Sequence, residues 1–181
     1  SNAGKVGIWE NVNGIWEQIG NTIEGESSDY AGYVSLSDNG KIVAIGNGQT
    51  VGFYDPIFGG PTYAEPKVRV YQYNESTNYW DQIGEPIAGI FQGSSSLSSD
   101  GKVIVVGNNI YRYDKNSWSA LGLPTVTWGE GSTNVNLSGN GSIIAVPNTS
   151  GTKVFEFKQN PENLTEFSWV QMGEDLSGTS R

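Results

Sequence analysis

Apolar residues recur along this chain in two distinct rhythms, and both belong to short strands. In Ile42-Val43-Ala44-Ile45, Val103-Ile104-Val105-Val106 and Ile143-Ile144-Ala145-Val146 they stand at successive positions. A strand of that kind has both faces buried, as it would between two neighbouring sheets. Each run follows a hairpin phrase, Leu36-Ser37-Asp38-Asn39-Gly40, Leu97-Ser98-Ser99-Asp100-Gly101 or Leu137-Ser138-Gly139-Asn140-Gly141. The Asn-Gly and Asp-Gly pairs supply the positive φ that a tight turn demands. No stretch shows the 3.6-residue period of a helix.

Two further phrases complete the unit. An aromatic strand reads Val68-Arg69-Val70-Tyr71-Gln72-Tyr73, Ile110-Tyr111-Arg112-Tyr113 and Val154-Phe155-Glu156-Phe157, with Val6-Gly7-Ile8-Trp9 as an imperfect copy. A Trp phrase reads Trp16-Glu17-Gln18-Ile19-Gly20, Trp80-Asp81-Gln82-Ile83-Gly84, Trp118-Ser119-Ala120-Leu121-Gly122 and Trp169-Val170-Gln171-Met172-Gly173. Its Trp and its Ile point to opposite faces, so this strand also expects cover on both sides. The intervals between Trp phrases bracket the length of a four-stranded propeller blade. Small residues before each hairpin (Tyr33-Val34-Ser35-Leu36, Ser94-Ser95-Ser96-Leu97, Asn134-Val135-Asn136-Leu137) suit a crowded innermost strand.

The expected fold is therefore all-β: a β-propeller of four-stranded antiparallel blades, three complete and one partial at the N-terminus. A β-sandwich is the alternative, but it would show one-sided alternation in the second strands. The organisation read from the phrases is residues 1–3 as a scar of tag cleavage and 4–20 as the outer strands of the partial blade. Blade one then covers 21–84 with a long 47–66 loop, blade two 85–122, blade three 123–173, and a tail 174–181 follows. Such a ring has open edges, which invite self-association, and the expectation is a fragment of a longer propeller.

With inner strand, Gly-turn hairpin, Ile-rich strand and aromatic strand in that order, the chain resembles the integrin-type FG-GAP propeller repeat. It is most similar to the bacterial variety with Trp-x-Gln-hydrophobic-Gly and Ser-Leu-Ser-x-Asp-Gly phrases. The resemblance covers nearly all of the chain and implies a propeller. Repeats of this type often carry an Asp-x-Asp-x-Asp-Gly calcium loop, but these hairpins hold at most one carboxylate each. Calcium takes six to eight oxygens, so no metal is expected there, and no cofactor is expected elsewhere. Phe58-Gly59-Gly60-Pro61 echoes the family name from within a loop, away from the inner strand.

Charge and composition narrow the function. A net charge of −9 opposes nucleic acid and anionic surfaces, and no apolar run is long enough to insert in a membrane. With no Cys and no His, thiol nucleophiles and imidazole bases are excluded. At the end of the ring where second and third strands connect, the 47–66 loop brings Phe53, Tyr54, Asp55, Phe58 and Tyr63. Blade-to-blade loops at the same end add Tyr30, Phe91 and Trp128. Aromatics beside carboxylates suit sugar stacking or a protein contact. The expectation is a non-catalytic, exported module, extracellular or on the cell surface, binding a protein or carbohydrate through these residues. A purely structural repeat segment is the alternative. A carbohydrate-active enzyme using Glu26 with Asp29, or Asp55 with Glu65, ranks below both.

Overall fold

The computed structural model describes residues 3–26, 31–47, 53–55, 60–62, 67–88, 95–122, 124, 135–148, 151–163 and 165–177, with 31–32, 53–55 and 60–62 as backbone. No helix occurs among them. The N-terminal strands are β1 (Lys5–Val6), β2 (Trp9–Val12), β3 (Ile15–Gln18) and β4 (Ile23–Glu24). The first four-stranded sheet is built from β5 (Ala31–Leu36) and β6 (Ile42–Asn47). Within residues 47–66, expected as loop, β7 (Phe53–Asp55) pairs with β8 (Gly60–Thr62) as a small hairpin. Then come β9 (Lys67–Asn74), β10 (Tyr79–Gln82) and β11 (Ile87–Ala88), giving the order β10-β9-β6-β5 with β11 on the far end of β9.

The second sheet runs β12 (Ser95–Leu97), β13 (Val103–Val106), β14 (Asn109–Asp114) and β15 (Ser117–Ala120) in meander order. The third repeats it with β16 (Asn136–Leu137), β17 (Ile143–Asn148), β18 (Gly151–Gln159) and β19 (Phe167–Gln171). In the partial sheet Trp9 faces Gln18 as Tyr71 faces Gln82, and Val6 faces Ile23 as Val68 faces Ile87. Residues 5–24 are thus the third and fourth strands of a blade.

Each hydrophobic cluster joins two consecutive sheets. Ile8 and Ile23 pack with Val43, Ile45 and Trp80. Val68, Val70 and Ala44 pack with Leu97, Ile104 and Val106. Val103, Val105 and Ile110 pack with Ile144, Val146 and Phe155. In the second strands, neighbouring residues serve opposite seams: Val43 and Ala44 fall in different clusters, as do Ile104 and Val105. Sheets sealed face to face in series, with the small-residue strand at one edge of each, make a β-propeller. A sandwich would join two layers through one core.

The repeated phrases now have physical reasons. In the hairpins the hydroxyls of Ser37, Ser98 and Ser138 donate to Asn39, Asp100 and Asn140 at 2.7–2.8 Å. Each hydroxyl also accepts the amide of Ile42, Val103 or Ile143 at 2.9 Å. The acidic or amide oxygen is thus consumed in shaping the turn. In the Trp phrase, the amides of Gln18, Gln82 and Gln171 reach the carbonyls of Gly20, Gly84 and Gly173. Those glycines have φ near +70°.

Across the seams, the indole of Trp80 donates to Ile19 O at 2.9 Å and that of Trp118 to Ile83 O at 3.1 Å. A Cβ on Gly20 would sit 2.6 Å from Trp80, and on Gly84 2.6 Å from Trp118. The third seam departs: the Trp169 Nε1 is buried without a partner among the described residues, and its ring packs on Phe157 at 4.9 Å.

Asp100 is the acidic member of the hairpin set. Burial pushes its carboxyl up, but the Lys102 amide, the Ser98 hydroxyl and the Lys102 charge outweigh this and hold it below the usual range. A depressed folded value means the unfolded chain binds the proton more readily. The contribution is present above the ordinary carboxylate value and lost as pH falls through the folded one. Asn39 and Asn140 fill the same place without charge, so Asp100→Asn is expected to hold stability at neutral pH within about 1 kcal/mol. It should also flatten the loss of stability on the acid side, read by denaturant titration across pH.

Candidate functional site

The end of the propeller where β6 gives way to β9 carries a polar cluster at the seam between the partial blade and the first full one. Alternation on β9 sends Val68 and Val70 to the next blade and leaves Arg69 with Tyr71 and Tyr73 on the other face. Arg69 Nη2 lies 2.8 Å from Glu26 Oε2; the arginine side chain is 11 % exposed and the glutamate 72 %. Beside it Asn47 is buried, its Oδ1 accepting the Lys67 amide at 2.8 Å. A cavity of about 20 Å³ lies between Val6, Ile23, Gly25, Asn47, Arg69 and Tyr71, room for a single water molecule. On its rim Lys5 and Glu24 pair at 2.7 Å, and the hydrogen bond and charge of Lys5 hold the Glu24 carboxyl below its ordinary range.

A guanidinium withdrawn from solvent, held against an accessible carboxylate, can do two things. It can stabilise negative charge developing on a bound oxygen, and the carboxylate can accept a proton from water. No group of three acidic, His or Cys ligands able to hold a metal occurs among the described residues.

A second, larger cleft of about 540 Å³ opens on the outer side of the next seam, lined by Glu85, Pro86, Tyr111, Asn116, Ser117 and Trp118. At the first seam Asn21 Oδ1 accepts the Trp80 amide at 2.8 Å and ties the blades there. Glu85, which follows Gly84 as Asn21 follows Gly20, makes no such bond among the described residues.

Of the residues singled out by sequence, Tyr30, Phe58, Tyr63, Phe91 and Trp128 lie outside the described residues. Phe53, Tyr54 and Asp55 form β7, whose backbone pairs Phe53 with Thr62 and Asp55 with Gly60. Glu26 is present, but its partner is Arg69, while Asp29 and Glu65 fall outside the described residues. Arg69 was not among them: in the sequence it stands only as one member of the aromatic strand Val68-Arg69-Val70-Tyr71. Its neighbours Val68 and Val70 gave the available signal: in a strand covered on both faces, an interposed arginine must find a counter-charge.

No family model matches the chain, and no curated protein matches it by sequence. Solved structures do share its fold. A candidate 6-phosphogluconolactonase of Bacteroides uniformis is 17% identical with a TM-score of 0.60, over 97% of this chain and 49% of that one. A protein of Lactobacillus plantarum is 14% identical with a TM-score of 0.60, over 96% and 49%. The periplasmic gluconolactonase of Pseudomonas aeruginosa is 15% identical with a TM-score of 0.53, over 96% and 52%. The chain thus spans about half the length of these structures, and at such identities the likeness is one of fold.

These neighbours correct two expectations. The chain was expected to be a non-catalytic binding module and no enzyme, yet two of the three structures just described are named as lactonases. The physical reason lies in the weight given to missing side chains. Lack of His and Cys removes imidazole and thiol chemistry, but it leaves carboxylates, which can also serve as general acids and bases.

Proposed function

We propose that this chain supplies blades to a propeller hydrolase that opens a cyclic ester of the sugar-lactone class, with Glu26 and Arg69 in the reacting site. The observation that carries the reading is the 2.8 Å contact between an almost buried guanidinium and an exposed carboxylate, next to a water-sized cavity. The names of the lactonase neighbours support the substrate class.

In this reading Glu26 takes a proton from water as the water oxygen bonds to the lactone carbonyl carbon. Arg69 holds the oxyanion of the tetrahedral intermediate. The carbonyl then re-forms, the ring C–O bond breaks, and the ring oxygen leaves with the proton that Glu26 returns. The product is the open hydroxy acid, and no oxidant, reductant or further reactant is consumed. An exported location belongs to the same proposal, supported by the periplasmic neighbour. The structures that share the fold support a propeller, and not the FG-GAP type or its repeat motifs.

The test is hydrolysis of glucono-δ-lactone, followed in a weakly buffered solution at mildly acidic pH, where the spontaneous reaction is slow. Arg69→Lys and Glu26→Gln are each expected to lower kcat by about 10²-fold or more. No acceleration over buffer by the unaltered protein, or rates in both variants equal to that of the unaltered protein, would refute the assignment.

A further inference from the structure

The inner strand of the first full blade has an open face whose missing cover is spelled out by the later blades. Leu36 faces Val43 across β5 and β6 as Leu97 faces Ile104 across β12 and β13. Leu97 is 8 % exposed, buried against the preceding blade, whereas Leu36 is 49 % and Val34 58 % exposed. Single exposed apolar residues are ordinary, but here the buried counterpart of the same position is known.

The turn glycines say the same. A Cβ on Gly101 would come 2.6 Å from Ile42, and one on Gly141 2.8 Å from Val103. Those are the first residues of the preceding blade's second strand. At Gly40, among the described residues, nothing lies within 4 Å of that position.

Backbone bonds run hairpin to hairpin in one direction. Asp38 N donates to Ser99 O at 2.9 Å, and Ser99 N to Gly139 O at 2.6 Å. The carbonyl of Asp38 stands where Ser99 O and Gly139 O accept. In the partial blade, β1 and β2 take the place of β9. The edge of β9 from Val68 to Gln72 carries β6, and the matching edge, residues 6–10, carries no strand among the described residues.

We infer that this face and this edge together seat a two-stranded hairpin of the chain's own repeat phrase, Leu-Ser-x-(Asp or Asn)-Gly followed by β-branched residues. It becomes the inner pair of the partial blade. Its turn amide donates to Asp38 O, the first residue of its second strand packs over Gly40, and that strand bonds along residues 6–10. Continuity with the two existing hairpin-to-hairpin interfaces selects this occupant. The three hairpins already present are seated in their own sheets, so the occupant is a further copy of the phrase.

The probe is a synthetic peptide with the sequence of residues 94–107, added to the protein and, in a second arrangement, joined to its C-terminus by a flexible Gly/Ser linker. The expected result is slowed amide exchange across residues 6–10, with a rise in Tm of about 4 °C or more for the joined form. The double variant Val34→Asp/Leu36→Asp, altered only at exposed positions, should keep the Tm of the parent and bind the peptide at least about tenfold more weakly. Neither protection nor a Tm rise in either arrangement would overturn the inference, as would equal binding by the double variant. A dimer of the unmodified chain abolished by that variant would give the face to a second copy and overturn it equally.

Discussion

Trp80→Ala is expected to destabilise the protein by about 3–5 kcal/mol, while Trp16→Ala, in the same phrase, costs less than about 0.5 kcal/mol. Both residues open a Trp-acidic-Gln-Ile-Gly phrase, but what lies against them differs. Trp80 is 5 % exposed, sits among Ile8, Ile23, Val43 and Ile45, and tilts against Tyr73 at 5.3 Å. Its indole N–H reaches the Ile19 carbonyl 61 residues away. Removing it opens a cavity at the seam and strands that carbonyl, two penalties that add. Trp16 is 66 % exposed and has neither. Trp80→Phe keeps an aromatic ring but loses the N–H and part of the packed volume, and should cost about 1–3 kcal/mol, less than Trp80→Ala. Urea denaturation of the three variants reads the series, and equal losses at Trp80 and Trp16 would contradict the seam.

The turn glycines should divide just as sharply. Gly40 and Gly101 have φ of +65° and +69°, so alanine at either carries the strain of a left-handed conformation, about 1–2 kcal/mol. At Gly40 that is the whole cost. At Gly101 the new methyl also meets Cδ1, Cβ and Cγ2 of Ile42 at 2.6–2.9 Å. The side-chain tip could swing away, but Cβ cannot without moving β6. Overpacking of that kind adds about 1–3 kcal/mol. Gly101→Ala is therefore expected to melt well below Gly40→Ala, and Gly141→Ala, facing Val103 at 2.8–2.9 Å, to follow Gly101. If all three shifted Tm alike, the hairpin tips would not be in contact.

What the sequence made legible were features whose causes are local. Asn-Gly and Asp-Gly turns declare their φ, and runs such as Val103–Val106 declare that both faces are covered, so blade and strand order could be read directly. The bonds that join blades are not of that kind. That the Trp80 indole finds Ile19, or the Ser35 hydroxyl accepts the Leu97 amide at 3.0 Å, depends on how sheets stack after they form. Arg69 was missed for the same reason, since its carboxylate comes from the connection out of another blade. The aromatic residues of 47–66 were chosen because a loop was expected. Part of that segment is the hairpin of Phe53–Asp55 with Gly60–Thr62, a pairing too short to announce itself by alternation.

Because each apolar cluster spans one seam and no more, the molecule behaves energetically as a row of dominoes with a fixed coupling at every joint. Loosening at either extremity need not travel to the middle. Unfolding should then lose its all-or-none character, with fluorescence from Trp16 at one end and Trp169 near the other reporting different midpoints in the same titration.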